Sequence, residues 1–152
     1  MNYNSDYCCL QCRTSINNRV FIYSSENFGY PLCIDCQEWF KEILENTTTT
    51  EEATNLYFAL RVRGVPAKLE KFDGYKTIDI AIPQAKVNIE VDGMHHSFDS
   101  RQAISDLRRT LHSFKKGYYT LHIPNSLAKY NLDEAADLIT EFLNISASKH
   151  TW

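Results

Sequence analysis

The chain has 152 residues, 43% of them hydrophobic, with a formal net charge of −3. That length suits one ordinary domain with a small appendage and allows a real core. No run of about 18 apolar residues is present, so a membrane-spanning segment is not expected, and a signal peptide is not expected at a start that reads MNYNSDYCCL. The reading is a soluble cytoplasmic protein.

Charge divides the chain. Residues 1–52 hold 3 basic and 8 acidic groups, while residues 53–152 hold 13 basic and 11 acidic. Two basic clusters stand in the second part: Arg61, Arg63, Lys68, Lys71 and Lys76, then Arg101, Arg108, Arg109, Lys115 and Lys116. Either can neutralise phosphates or simply solubilise the surface.

All five cysteines fall within the first 36 residues. Cys9-Leu-Gln-Cys12 and Cys33-Ile-Asp-Cys36 have the spacing of a four-thiolate zinc site. Paired disulfides and an iron–sulfur cluster are the rival readings, and Cys8 is the odd thiol. Arg19 to Tyr23 reads as a strand, Phe28-Gly29-Tyr30-Pro31 as a turn, and Cys36 opens a helix carrying Trp39, Phe40, Ile43 and Leu44. A knuckle, a hairpin and then a helix at the second cysteine pair resemble a treble-clef finger over residues 1–46. Its acidity argues against its being the main phosphate-binding face, and docking on the second domain or recruiting a protein partner are the two readings left open.

The run Asn46-Thr-Thr-Thr-Thr50 breaks the chain, and residues 47–152 form the second expected domain. Thr50 caps a helix with Glu51 and Glu52 in its first turn and Leu56, Tyr57 and Leu60 on its apolar side. After Gly64-Val-Pro66, strands are expected over Ala67–Phe72, Lys76–Ile82 and Lys86–Asp92. Asp73-Gly74 turns between the first two. A turn centred between Gln84 and Ala85 pairs residues whose numbers sum to 169, which sets Asp79 across from Glu90, with Asp92 on the same face. Three carboxylates on one patch repel unless a cation lies between them, and oxygen ligands of this kind suit Mg²⁺ or Mn²⁺. Gly93, His95 and His96 follow. A helix from Asp99 or Ser100 to about Lys116 is expected to bury Ile104, Leu107, Leu111 and Phe114, with Gln102, Asp106 and Arg109 on another face. Tyr118 to Ile123 is a further strand, and a last helix from Leu132 to Asn144 turns Ala135, Leu138, Ile139 and Phe142 inward.

Asp79 followed by Glu90-Val-Asp92-Gly93-x-x-His96 resembles the core of the PD-(D/E)XK nuclease superfamily, in particular the branch containing the very-short-patch-repair endonucleases. The resemblance covers residues 50–145. It implies an α/β fold with a restriction-endonuclease-like mixed sheet flanked by helices, here preceded by a small four-cysteine zinc finger. It also implies a metal-dependent endonuclease acting on DNA. Asp79 and Glu90 would hold Mg²⁺ or Mn²⁺, with Asp92 as ligand or water-orienting group. A glutamate of the first helix, Glu52 or else Glu51, would reach back to the site, and His96 would serve as base or steady the leaving group. Asp106 and Arg109, with Gln102 beside them, would order the site or hold a phosphate. Asp92 stands where the superfamily usually carries lysine, so the proton-transfer role falls to His96 or a second metal. The alternatives are a catalytically inactive nuclease fold serving as a DNA-binding or adaptor module, and an RNA-directed nuclease.

Overall fold

The computed structural model describes residues 7–92 and 100–149. The chain divides into two compact units, Met1–Thr48 and Thr49–Trp152.

In the first unit, strands β1 (Tyr7–Cys8) and β2 (Ser15–Ile16) pair antiparallel, Tyr7 with Ile16 and Cys8 with Ser15. Between them the chain makes a tight knuckle. Cys9 donates its N–H to the Thr14 carbonyl, Arg13 returns one to Cys9, and Arg13 takes a left-handed φ of 66°. Helices α1 (Asn18–Phe28) and α2 (Ile34–Asn46) follow. The expected strand at Arg19–Tyr23 is therefore helical. Its ends explain why: the Asn17 side chain accepts from the Val20 N–H at 3.0 Å, and Gly29 closes the helix at φ 80°. A good cap at each end outweighs the weak strand preference of Val20, Phe21 and Ile22. A helix thus stands where a treble clef has its hairpin. The core is small: Cys9, Ile16, Leu32, Cys36 and Phe40 are its buried apolar groups.

The second unit is α/β. Helix α3 (Glu51–Val62) leads to β3 (Lys68–Phe72), β4 (Thr77–Ile82) and β5 (Val87–Asp92), then α4 (Ser100–Lys115), β6 (Tyr119–Pro124), α5 (Asn125–Tyr130) and α6 (Leu132–Lys149). The four strands form one mixed sheet in the order β3-β4-β5-β6, antiparallel except for the parallel pair β5–β6. The β4–β5 register pairs Ile80 with Ile89, Ala81 with Asn88 and Ile82 with Val87, the expected sum of 169. A 3₁₀ turn over Pro83–Ala85 makes the connection. Thr50 caps α3 through the Ala53 N–H at 3.2 Å.

Ile80, Ile82, Val87, Ile89 and Val91 of the sheet, Leu56, Tyr57, Phe58 and Leu60 of α3, and Ala135, Ala136 and Ile139 of α6 are all buried, with α3 against both the sheet and α6. Burying several such side chains at roughly 1.5–3 kcal/mol each is the main favourable term here. Arg63 ties α3 to α6: its Nε lies 2.7 Å from Asp137 and its Nη2 3.4 Å from Asp133. That guanidinium is committed to the fold rather than to a phosphate-binding cluster. Leu138, expected inward, is 60% exposed.

Helix α4 departs most from expectation. Ile104, Leu107, Leu111 and Phe114 are 50, 64, 47 and 70% exposed. The face it lays on the sheet is polar. Ser113 meets Asn88, Arg109 meets Glu90, and the Lys76 ammonium donates to the Arg109 carbonyl at 2.8 Å. The sheet presents Asn88 and Glu90 on that side, both buried, and buried polar groups require polar partners. Periodicity located α4's apolar stripe but set it on the buried side, because the polarity of the surface beneath the helix is not a local signal.

Burial makes a direct test. Leu60→Ala should cost about 2–5 kcal/mol in chemical denaturation, whereas Leu107→Ala should stay within about 0.5 kcal/mol of the parent.

Candidate functional site

Strand alternation and the α4 contacts build the site together. Asp79 lies on β4 and accepts a hydrogen bond from the Val91 N–H of β5, 2.8 Å from its Oδ2. This holds one carboxylate oxygen in place. Glu90 lies on β5, 8% exposed, and its Oε1 is buried with no hydrogen bond among the described residues. The Arg109 guanidinium stands 3.6 Å from that oxygen and also reaches the Thr77 carbonyl at 3.4 Å.

Electrostatics follow from the burial. Desolvation, and then the Asp79 charge, push the Glu90 carboxyl up to about 8, against the pull of Arg109 and Lys76. Burial likewise raises Asp79, with the Val91 N–H opposing and the Asp92 charge adding to the rise. The pair titrates as one system. A buried carboxyl oxygen with no hydrogen bond among the described residues, beside a second carboxylate, is a position that a hard cation satisfies by displacing the proton. The donor set therefore fits a divalent ion held by Asp79 and Glu90.

Asp92 is turned elsewhere. Its Oδ2 lies 2.8 Å from Nδ1 of His122 on β6. A carboxylate only accepts, so in this pair Nδ1 is the donor. His122 escaped sequence reading. Its signal is the parallel register, Glu90 with His122, which becomes visible only once β6 is known to lie beside β5.

Glu70 also escaped. The β3–β4 ladder pairs Leu69 with Ile80 and Lys71 with Ile78, which sets Glu70 opposite Asp79 by count. Glu70 has a left-handed φ of 51° in mid-strand, a conformation that costs a non-glycine residue about 1–3 kcal/mol. Burial and the Asp79 charge both raise its carboxyl, and the Thr49 hydroxyl lies beside it. Thr49 immediately precedes the Thr50 cap of α3, so the first turn of α3, with Glu51 and Glu52, starts next to Glu70.

Around Arg109 the remaining expected residues sort themselves. Gln102 donates to Asp106 at 3.0 Å, while Arg109 turns to Glu90 rather than along its own helix. Lys76 is no surface cation: it is 8% exposed, and burial pulls its ammonium pKa down. His95 and His96 lie outside the described residues.

The second constellation is sulfur. One ligand atom from each of Cys9, Cys12, Cys33 and Cys36 lies within 4.8 Å of all the others. Cys33 caps α2 and so puts Cys36 in the helix's first turn, while the Leu10 N–H bonds the Pro31 carbonyl and joins knuckle to helix. Cys12 and Cys33 sulfurs are 3.7 Å apart. A tetrahedral ion with metal–sulfur bonds near 2.3 Å sets its sulfurs roughly 3.8 Å from one another, so the four thiols could hold such a metal. The Thr14 hydroxyl helps draw the Cys12 thiol down to about 6, whereas burial pushes Cys33 and Cys36 up.

With this geometry in view, the chain is similar in structure to the catalytic domain of the homing endonuclease I-Bth0305I. The TM-score is 0.53 at 17% sequence identity, covering 64% of this chain and 98% of that domain. The fold is nuclease-like. No family model matches the chain, and no curated protein matches it in sequence. Among the described residues no helix is long and apolar enough to cross a membrane.

Glu90 makes stability depend on pH. Between its ordinary value of 4.5 and its folded value of about 8, the folded chain keeps a proton that the unfolded chain has released. Without Mg²⁺ or Mn²⁺, the melting temperature should therefore fall as pH rises from about 4.5 through about 8. Glu90→Gln should reduce that slope, which thermal melts across the range will read.

Proposed function

We propose that the chain is a divalent-metal-dependent endonuclease that hydrolyses DNA phosphodiester bonds, of the PD-(D/E)XK kind, with a zinc-bound finger at its start. The observation that carries this reading is the buried Asp79–Glu90 pair with the orphan Glu90 Oε1, set on a nuclease-like sheet. A divalent cation bound there polarises a phosphoryl oxygen and acidifies water. Asp79 and Glu90 are its ligands, together with a backbone carbonyl near Val91, and the Val91 N–H keeps Asp79 aimed. Arg109 offers its guanidinium to the phosphate and balances the carboxylates. Asp92 orients the reacting water through its acceptor oxygens, Glu52 reaches the site from α3, and Gln102 and Asp106 steady α4 beside Arg109. His96 takes the proton from water or steadies the leaving group.

In the finger, Cys9, Cys12, Cys33 and Cys36 bind Zn²⁺ in a closed structural site. A core this small derives much of its stability from the ion, and the finger offers a surface to a protein partner.

Supercoiled plasmid incubated with Mg²⁺ or Mn²⁺ should be nicked or linearised, and RNA incubated in parallel separates this reading from the RNA-directed alternative. Asp79→Ala should lower the rate by about 10³-fold or more, since it removes a group that holds the charge-stabilising ion. Without metal, relief of the repulsion with Glu90 should favour the variant only above about pH 8, where the Glu90 carboxyl is charged. Equal cleavage by parent and variant would overturn the nuclease reading.

Elemental analysis should find one zinc per chain. Cys33→Ser should release it and unfold residues 7–48 before the sheet melts. A metal-free protein with a folded amino-terminal unit would refute the zinc assignment.

A further inference from the structure

A cavity of about 270 Å³ opens between the carboxy-terminal end of α4 and the sheet, on the face that carries Glu90. Asn88, 2% exposed, is one of its lining polar groups. The Asn88 amide donates to the Ser113 hydroxyl at 3.3 Å, and Ser113 is itself 1% exposed. Asn88 Oδ1 is buried with no hydrogen bond among the described residues. Turning the amide over would exchange its atoms at Ser113 and again leave one polar atom without a partner. A buried amide edge of this kind is costly unless something else completes it.

The rim has a different chemistry. Phe72 is 65% exposed at the mouth, and Tyr118 also lines the cavity. Lys71, Lys116 and Asp73 line it as well, and the Lys116 ammonium donates to the Asp73 carbonyl at 3.2 Å. A buried amide, aromatic rings and two lysines along one cavity match a planar heteroaromatic base that carries a phosphate. A wholly apolar ligand would leave Asn88 unsatisfied, and inorganic phosphate would leave the rings and the amide unused.

We propose that this cavity is a nucleotide-binding pocket in which Asn88 reads the base edge and Lys71 and Lys116 hold the phosphate. The base is either that of a free nucleotide or one unstacked from a bound strand. Asn88 and Glu90 are two residues apart on one strand face, about 7 Å. A strand whose base enters the pocket therefore brings a neighbouring phosphodiester toward the carboxylates. In that form the inference rests on the nuclease reading and deepens it, because the pocket selects the nucleotide beside the cut.

The test is binding of the four deoxynucleoside monophosphates without added Mg²⁺ or Mn²⁺, followed by chemical-shift perturbation. Because nothing is cleaved, its outcome is independent of the plasmid assay. Saturable binding is expected, with one base preferred. Asn88→Leu, close in size, should weaken it at least tenfold. The double variant Lys71→Ala, Lys116→Ala, confined to the rim, should do the same without disturbing the core. No saturable binding at millimolar nucleotide, or binding unchanged in both variants, would overturn the proposal. A second arm uses DNA containing 2-aminopurine. Fluorescence that rises on binding to the parent but not to Asn88→Leu identifies the strand as the source of the base. Mononucleotide binding without that rise identifies a free nucleotide.

Discussion

Burial of negative charge on one face of the sheet organises the second unit. Glu90 is almost wholly removed from water and Asp79 stands beside it. Neither could be kept there without compensation. The compensation comes from Arg109 on α4, from Lys76 at the start of β4, and from the Val91 N–H. The two cations depend on α4 lying with its polar side down. The Lys76 ammonium, bonded to the Arg109 carbonyl, fastens that helix to the sheet, and Asp73 draws Lys116 and His112 to the same corner. The orientation of one helix and the chemistry of the site are thus a single problem with a single solution.

The first unit meets a similar difficulty with different materials. Its core is too small to be held by apolar burial alone. Four sulfurs converge from the knuckle between β1 and β2 and from the start of α2, both held by backbone hydrogen bonds. Ser24 adds a polar tie, accepting from the Leu32 N–H and donating to the Tyr30 carbonyl, which shapes the approach to the second cysteine pair.

The sheet was legible because alternation is a local signal. Ile80, Ile82, Val87, Ile89 and Val91 declare their face within a few residues, and the β4–β5 register follows from one turn. The Asp79–Glu90 neighbourhood followed from the same arithmetic. What escaped depended on partners distant in sequence. His122 and Glu70 join the carboxylate face only through strands β6 and β3, whose neighbours no local pattern names. Lys76 looked like any surface lysine until α4 covered it. Arg19 to Tyr23 misled for the opposite reason: its side chains favour a strand, but the Asn17 and Gly29 caps at either end decide for a helix.

Strand β3 lies at the margin of the sheet, with one side unpaired by any other strand among the described residues. A flat margin of that kind invites a strand from another molecule. Here the sequence Lys68-Leu-Glu-Lys-Phe72 places charge at three of five positions, and the left-handed Glu70 kinks the backbone midway. A kinked, charged border is a poor template for strand addition. The residue whose distortion sets a carboxylate opposite Asp79 therefore also guards the chain against self-association, and straightening it with a β-branched residue would expose the molecule to aggregation.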